Sequence, residues 1–335
     1  MAIEVTRPGL LATIQDKGRF GMQKYGVVVS GAQDIFSLQV ANLLVGNELS
    51  EAVIEIAMYG SSYIFTKDHM IAITGADLQP MLDGNPVPLW RPIFVPKGSE
   101  IIFGSAKHGC YAYVAIAGGL NIETQYGSKS TYIRAKIGGV KGRALQKKDK
   151  ISIGKLTALQ SDMFAQLLKK DQPPSWFVKY DNVLPFAETE TLYVLKGSEI
   201  NYFTEESVKQ FIENEYMLTP RADRMGYAFQ GFELKRMKSK ELLSEGVTFG
   251  TVQVPSSGQP IVLMADRQTT GGYPKLAQVI SAHLPRLSQL KPKQYVRFQF
   301  VTIEEAEKAY IEMYRYIYEL KRSIEFRVRV NSFAD

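Results

Sequence analysis

The side chains best suited to chemistry gather in one stretch, Ser244 to Lys275. Two short apolar runs, Gly250 to Val254 and Pro260 to Ala265, flank Pro255-Ser256-Ser257-Gly258. That pattern predicts two strands joined by a loop. The second run ends in Asp266-Arg267-Gln268-Thr269-Thr270-Gly271-Gly272-Tyr273. A carboxylate, a guanidinium and an amide at the end of a buried strand are costly to leave unpaired. They pair with each other or with something bound, and the glycine pair lets backbone approach a ligand closely. A second Asp-Arg pair, Asp223-Arg224, lies in Thr219 to Tyr227 beside Gly226. Each pair reads either as a turn-stabilising ion pair or as part of one shared polar pocket.

Two further candidates stand early in the chain. Ser30-Gly31-Ala32-Gln33-Asp34 precedes an apolar pattern of helical spacing, Ile35, Leu38 and Ala41, widened by Phe36, Val40, Leu43 and Leu44. Asp34 is a natural N-cap for that helix and Gly46-Asn47 a natural stop. Free N–H groups at such a helix start also suit an anionic ligand, so Asp34 reads as a cap alone or as a cap with a ligand contact. Glu55, between Ile54 and Ile56, alternates to the other face of a strand. It reads as a solvated side chain or as a paired site carboxylate.

The elements that must position these residues are mostly short strands. Ile3 to Val5 and Leu11 to Gln15 predict strand, turn, strand, and Gly18, Gly21 and Gly26 an irregular loop. Tyr63 to Phe65, Met70 to Thr74, Met81-Leu82, Val87-Pro88, Ile101 to Phe103 and Tyr111 to Ala117 predict strands. Gly75-Ala76-Asp77, Asp83-Gly84-Asn85 and Lys97-Gly98 are the expected turns between them. This rhythm argues for a compact barrel rather than a layered α/β sheet. Periodicity is poor from about Gly154 to Glu190, with a short helix expected at Ser161 to Leu168 and prolines at 173, 174 and 185. We expect a β-barrel lobe over 1–155, a connecting segment over 156–190 and a second lobe over 191–335. Strand signals resume at Thr191 to Leu195, and a helix opens at Thr204 with Phe211 and Ile212 on its apolar face. Thr302-Ile303-Glu304-Glu305 is a capping box for a terminal helix whose Ala306, Tyr310, Met313, Ile317 and Leu320 form a packing stripe.

Composition excludes several classes of function. The chain has 335 residues, 40 Lys+Arg against 34 Asp+Glu, and a single cysteine, Cys110. The mildly basic balance is mixed in sign along most of the chain, so no nucleic-acid surface is expected. The basic run Lys141 to Lys150 reads as a solvated loop. No disulfide can form within the chain, no apolar run is long enough to cross a bilayer, and the start lacks the features of a signal peptide. We expect a cytoplasmic protein. No G-x-G, H-E-x-x-H or G-x-S-x-G occurs, and Gly104 to Tyr111 lacks the Lys-Ser/Thr of a phosphate-binding loop. His69, His108 and His283 are scattered, so no metal site is expected.

The run from Ser244 to Lys275 resembles the C-terminal signature of the biotin-dependent carboxyltransferase / allophanate hydrolase subunit 2 family, in the branch formed by the C-type (KipA-like) subunits of 5-oxoprolinase. Other landmarks agree: Thr74 to Asp77, Gly84 to Pro88, Ala115 to Gly119, Gly127 to Thr131 and Gly138 to Leu145. Three positions depart from the pattern: Gln33 stands for Met, Lys129 for Arg and Ala222 for Ser, the last beside an intact Asp223-Arg224. Lys129 keeps the charge but loses the bidentate fork. The resemblance implies a mainly β fold with a few helices, built as two cyclophilin-like β-barrel lobes that could exchange strands. It implies ATP-dependent opening of 5-oxoproline to glutamate, shared with a B-type (KipI-like) subunit and an A-type (LamB/YcsF-like) subunit. The Ala-Met-Lys-Met site of biotin carriers is missing, so no covalently attached biotin is expected, and ATP is expected on a partner or at a subunit junction. For such a reaction the candidate catalytic residues are Arg267, Asp266, Gln268, Gln253 and Arg224. Substrate-binding candidates are Ser30, Gly31, Asp34, Glu55, Gly271, Gly272 and Tyr273, with the early and late sets expected around one hollow. Two alternatives stand beside this: a regulatory protein that neutralises a KipI-type histidine kinase inhibitor, and a subunit of the urea carboxylase or allophanate hydrolase type.

Overall fold

A computed structural model describes residues 2–168, 176–179, 188–237 and 242–333. By contacts the chain falls into two units: Met1–Arg19, Ser30–Pro185 and Arg315–Asp335 form the first, and Phe20–Val29 with Phe186–Tyr314 the second. The two units do not follow one linear boundary, because residues 20–29 group with the later unit and the end of the terminal helix with the earlier one. Part of the expected connecting segment, including Pro173, Pro174 and Pro185, lies outside the described residues.

The first unit is built from β1 (Ala2–Pro8), β2 (Leu11–Gln15), β3 (Val53–Ala57), β4 (Ser61–Phe65), β5 (His69–Asp77), β6 (Met81–Leu82), β7 (Asn85–Pro86), β8 (Pro92–Val95), β9 (Glu100–Ile102), β10 (His108–Ile116) and β11 (Lys150–Ser152). They form a six-stranded sheet, β11-β1-β4-β9-β6-β7, and a five-stranded sheet, β2-β3-β10-β5-β8. Ile3, Ile14, Phe65, Ile73, Val114 and Ile151 are among the side chains that fill one apolar core. The helices α1 (Ile35–Leu44) and α2 (Ala158–Leu168) belong to this unit. Asp34 caps α1, its carboxylate accepting from the Ser37 N–H at 2.8 Å and the Ser37 hydroxyl at 2.6 Å. Nine of the ten helix residues are buried, so α1 is an internal element rather than a surface amphipath.

Two local expectations are corrected here. Gly75-Ala76-Asp77 is not a turn: β5 runs through it, and the register with β10 shifts between His108 and Ala112. Gly75, at φ 76°, supplies the bulge that an L-residue would resist. The short strand expected at Val87-Pro88 falls at Asn85–Pro86, because Asp83-Gly84 forms a two-residue turn that pairs Leu82 with Asn85.

The second unit contains β12 (Thr189–Lys196), β13 (Glu215–Ala222), β14 (Gly226–Gln230), β15 (Glu245–Gly246), β16 (Thr251–Gln253), β17 (Ile261–Leu263), β18 (Thr270–Gly271), β19 (Lys275–Val279) and β20 (Tyr295–Phe300). Seven of them close a barrel in the order β12-β19-β16-β17-β14-β13-β20, with β12 and β20 parallel and the other pairs antiparallel. Closure leaves no barrel strand with a free edge. Its core is aromatic, with Phe211 stacked on Phe298 at 4.6 Å between ring centroids and Tyr216 and Phe229 alongside. The expected pair of strands is β16 and β17, antiparallel through Val252 and Val262. Helices α3 (Glu205–Glu213) and α4 (Leu284–Ser288) follow the same unit, and α5 (Ile303–Phe333) ends the chain. The capping box is reciprocal: Thr302 N–H donates to Glu305 at 2.8 Å and Glu305 N–H to the Thr302 hydroxyl at 3.2 Å. The fold is mainly β, with five α-helices among the described residues.

Candidate functional site

In the second unit, the β14–β17 pairing brings the turn before β14 beside the end of β17. The two Asp-Arg motifs then cross. Arg224 from the first forms a bidentate pair with Asp266 from the second, Nε to Oδ2 at 2.9 Å and Nη2 to Oδ1 at 3.0 Å, with both side chains buried. Asp266 N–H also donates to the Arg224 carbonyl at 2.7 Å. The remaining members go separate ways. Asp223 accepts from the N–H groups of Met225 and Gly226, holding its own turn. Arg267 turns to a cavity.

That cavity has a volume of about 900 Å³. Of the residues singled out in the sequence, Arg267, Gln268, Gln253, Gly271, Gly272 and Tyr273 line it, whereas Arg224 and Asp266 stand behind the wall as a strut. Three guanidinium groups reach it, from Arg221, Arg236 and Arg267, against a single acid, Asp223. Arg236 and Arg267 are half-buried, and the Nε of each lacks a hydrogen-bond partner among the described residues. Burial lowers the pKa of Arg267 to about 10, and nearby Asp266 opposes that shift. The Arg236 pKa is lowered by the same burial, and its Nη2 is tied to the Val254 carbonyl. Two desolvated cations with spare donors facing one hollow favour an anionic or developing-anion ligand.

Gln253 is buried, and its amide donates to the Tyr273 carbonyl at 3.2 Å. Gly271 makes this possible: a Cβ there would stand 2.5 Å from the Gln253 Nε2. Sequence reasoning passed over Arg236 and Arg221. Arg236 sits in a stretch without strand or turn signal, and only the fold brings it to the end of β16.

The early candidates belong to the first unit. Ser30, at φ 57°, donates its hydroxyl to the Thr131 carbonyl at 3.0 Å. Gly31 has φ 93°, and a Cβ would meet the Gly18 nitrogen at 2.9 Å. Asp34 is the cap already described, and its own N–H donates to the Tyr113 hydroxyl at 2.7 Å. Glu55 is 2 % exposed, so the solvated reading is corrected: β3 is covered on both faces, and Glu55 accepts from the Gln33 N–H at 2.8 Å. Burial, then the neighbouring Glu55 and Asp34 charges, push the Tyr113 hydroxyl well above its ordinary pKa. Nearby, Asp16 gathers the loop Ser128–Ser130, accepting from the Ser128 hydroxyl at 2.6 Å and the Lys129 N–H at 2.6 Å. Lys129 itself is spent on Glu51 at 2.6 Å and the Leu120 carbonyl at 2.9 Å.

No group of three or more metal-binding side chains occurs among the described residues. The Gly104 to Tyr111 stretch does not fit a nucleotide phosphate. Its Gly104, Ala106 and Lys107 N–H groups already donate to the carbonyls of Leu78, Met58 and Asp77 at 2.7 to 2.8 Å. No described helix is long and apolar enough to cross a membrane.

Residues 25–300 match the family model for the carboxyltransferase domain, subdomain A and B. The chain belongs to that family. It is 36% identical over 314 residues to the C subunit of 5-oxoprolinase from Haemophilus influenzae, spanning 94% of this chain and 96% of that one. It is 36% identical over 318 residues to the Escherichia coli protein of the same name, spanning 95% and 97%. Among solved structures, the K. lactis urea amidolyase superposes over 95% of this chain with a TM-score of 0.85 at 26% identity, although the match spans only 20% of that longer chain. The oxoprolinase relatives thus match at higher identity and end to end, and the urea enzyme contains the domain as a fifth of its length.

Proposed function

We propose that this chain is the C-type subunit of an ATP-dependent 5-oxoprolinase, opening 5-oxoproline to L-glutamate with an A-type (LamB/YcsF-like) and a B-type (KipI-like) subunit in the cytoplasm. The observation that carries the reading is the arginine-lined cavity of the second unit, with two half-buried guanidinium groups holding spare donors, in a chain whose full-length relatives bear that subunit name. A lactam carbonyl resists water because its amide is resonance-stabilised. Addition of water builds negative charge on the carbonyl oxygen, and ring opening leaves a second carboxylate. Arg267 and Arg236 are the groups to hold those charges, and fixed donors of this kind contribute roughly 3 kcal/mol each. Gln253 and Gln268 supply neutral amides to orient the ring, and Gly271 and Gly272 let it approach the wall. The Arg224–Asp266 strut fixes the angle at which Arg267 leaves β17. ATP belongs to a partner or a subunit junction in this proposal, since the one stretch of this chain resembling a phosphate loop has spent its donors.

The test is reconstitution of the three-subunit enzyme with Arg267→Ala or Arg236→Ala. Glutamate formation is expected to fall about 100-fold for each. Undiminished turnover in an intact assembly removes that arginine from the site.

A further inference from the structure

The terminal helix α5 carries a feature the catalytic reading does not use. It runs 31 residues, about 46 Å at helical rise, and begins beyond residue 300, where the match to the carboxyltransferase model ends. Its Ile317, Ile324 and Val328 are buried, Tyr316 stacks on Phe36 at 6.1 Å, and the Gln166 amide donates to the Val328 carbonyl at 2.8 Å. These contacts fix one face of the helix. Elsewhere on its circumference a second apolar stripe is open to solvent: Ile303 at 62 % exposure, Tyr318 at 61 % and Phe326 at 68 %, with Ile311 and Tyr314 between them. At 3.6 residues per turn, Ile303, Glu307, Ile311, Tyr314, Tyr318 and Arg322 fall within about 100° of the circumference. This corrects the expectation that Tyr310 faces the core, since Tyr310 too is exposed and sits against Tyr314 at 4.6 Å.

Charge decides what such a stripe would meet. Residues 303–314 carry four acids and one base, and residues 315–330 carry five bases and two acids. A helix acidic in its first half and basic in its second is complementary to itself when run antiparallel. The stripe has the same symmetry. A two-fold axis passing beside Tyr314 sets Ile311 against Tyr318, Glu307 against Arg322 and Ile303 toward Phe326. Arg322 lies over the Tyr318 ring at 5.9 Å, which keeps its charge at the stripe.

We infer that α5 is a homodimerisation surface: the exposed face takes the same face of a second copy of this chain, antiparallel, in an isologous contact. A binding partner of different sequence would need no such mirror relation between positions 307 and 322. The inference is independent of the oxoprolinase reading, because it uses no residue of the cavity.

The test is light scattering of the full chain after gel filtration over a dilution series, with thermal unfolding as the fold control. The wild type is expected to be a dimer that dissociates on dilution. Glu307→Arg sets two arginines against each other and Arg322→Glu two carboxylates, so each single variant is expected to weaken the dimer at least tenfold. The double swap E307R/R322E restores the opposite charges and is expected to recover the wild-type dissociation constant. A monomeric wild type overturns the inference, whether or not the face then captures an A-type or B-type subunit. A dimer indifferent to both single changes, or a double swap no better than either single, overturns it as well.

Discussion

Replacement of Asp266 by alanine tests the architecture behind the cavity. Arg224 and Asp266 are both buried and bidentate, so truncating the carboxylate leaves a guanidinium without its counter-charge in the wall of the barrel. Asp223 is the adjacent acid in sequence, but its carboxylate is engaged by the Met225 and Gly226 N–H groups. Removing one partner of such a pair costs about 3–5 kcal/mol, whereas exchanging both for apolar side chains of similar volume is near neutral. Asp266→Ala and Arg224→Met are therefore each expected to lower stability by about 3–5 kcal/mol, and Arg224→Met with Asp266→Leu to cost less than either alone. In thermal unfolding each single change should lower the melting temperature on the order of 10 °C, and a denaturant series gives the cycle its energies. Singles costing under about 1 kcal/mol, or a double equal to their sum, would refute the strut. The same variants should lose glutamate formation more than the double does if the strut aims Arg267.

Three other outcomes follow from the structure. Gly271→Ala forces the Gln253 amide off the Tyr273 carbonyl, and should raise KM about tenfold in the reconstituted enzyme, more than Gly272→Ala, whose Cβ would meet its nearest neighbour at 3.3 Å. His283, stacked on Tyr193 with its Nδ1 accepting the Tyr193 N–H at 3.0 Å, has its pKa lowered by burial, and secondarily by Arg286, to about 4. The unfolded chain then binds the proton more readily, so stability is full above about pH 6.5 and is lost as pH falls toward 4; His283→Gln should flatten that part of the stability–pH curve. Thr302→Ala removes the cap of α5 and should cost about 1 kcal/mol, read as faster amide exchange in the first helical turn with the barrel unaffected.

Much of the fold was legible in the residues because its signals are local. Asp34 ahead of a helical apolar pattern, Thr302 three residues before Glu305, and two β-rich runs around Pro255–Gly258 each name their own element, since the hydrogen bonds involved join near neighbours in the chain. Local signals also misled. Gly75-Ala76-Asp77 has the composition of a turn, but pairing of β5 with β10 drew it into a strand and left only a bulge. Glu55 alternates correctly along β3, yet alternation cannot tell a solvated face from one covered by α1 and its cap.

The amino-acid order alone determined the family, the mainly β character, the caps, and the presence of a polar cluster from Asp266 to Tyr273. Only the folded chain decided how that cluster is wired. Arg224 meets Asp266 across 42 positions, Lys129 meets Glu51 across 78, and Arg236 reaches a cavity whose other walls come from distant strands. The reason is physical: a cap or turn is settled by chain neighbours within a few ångströms, whereas a charge deprived of water is settled by whichever counter-charge barrel closure delivers to it.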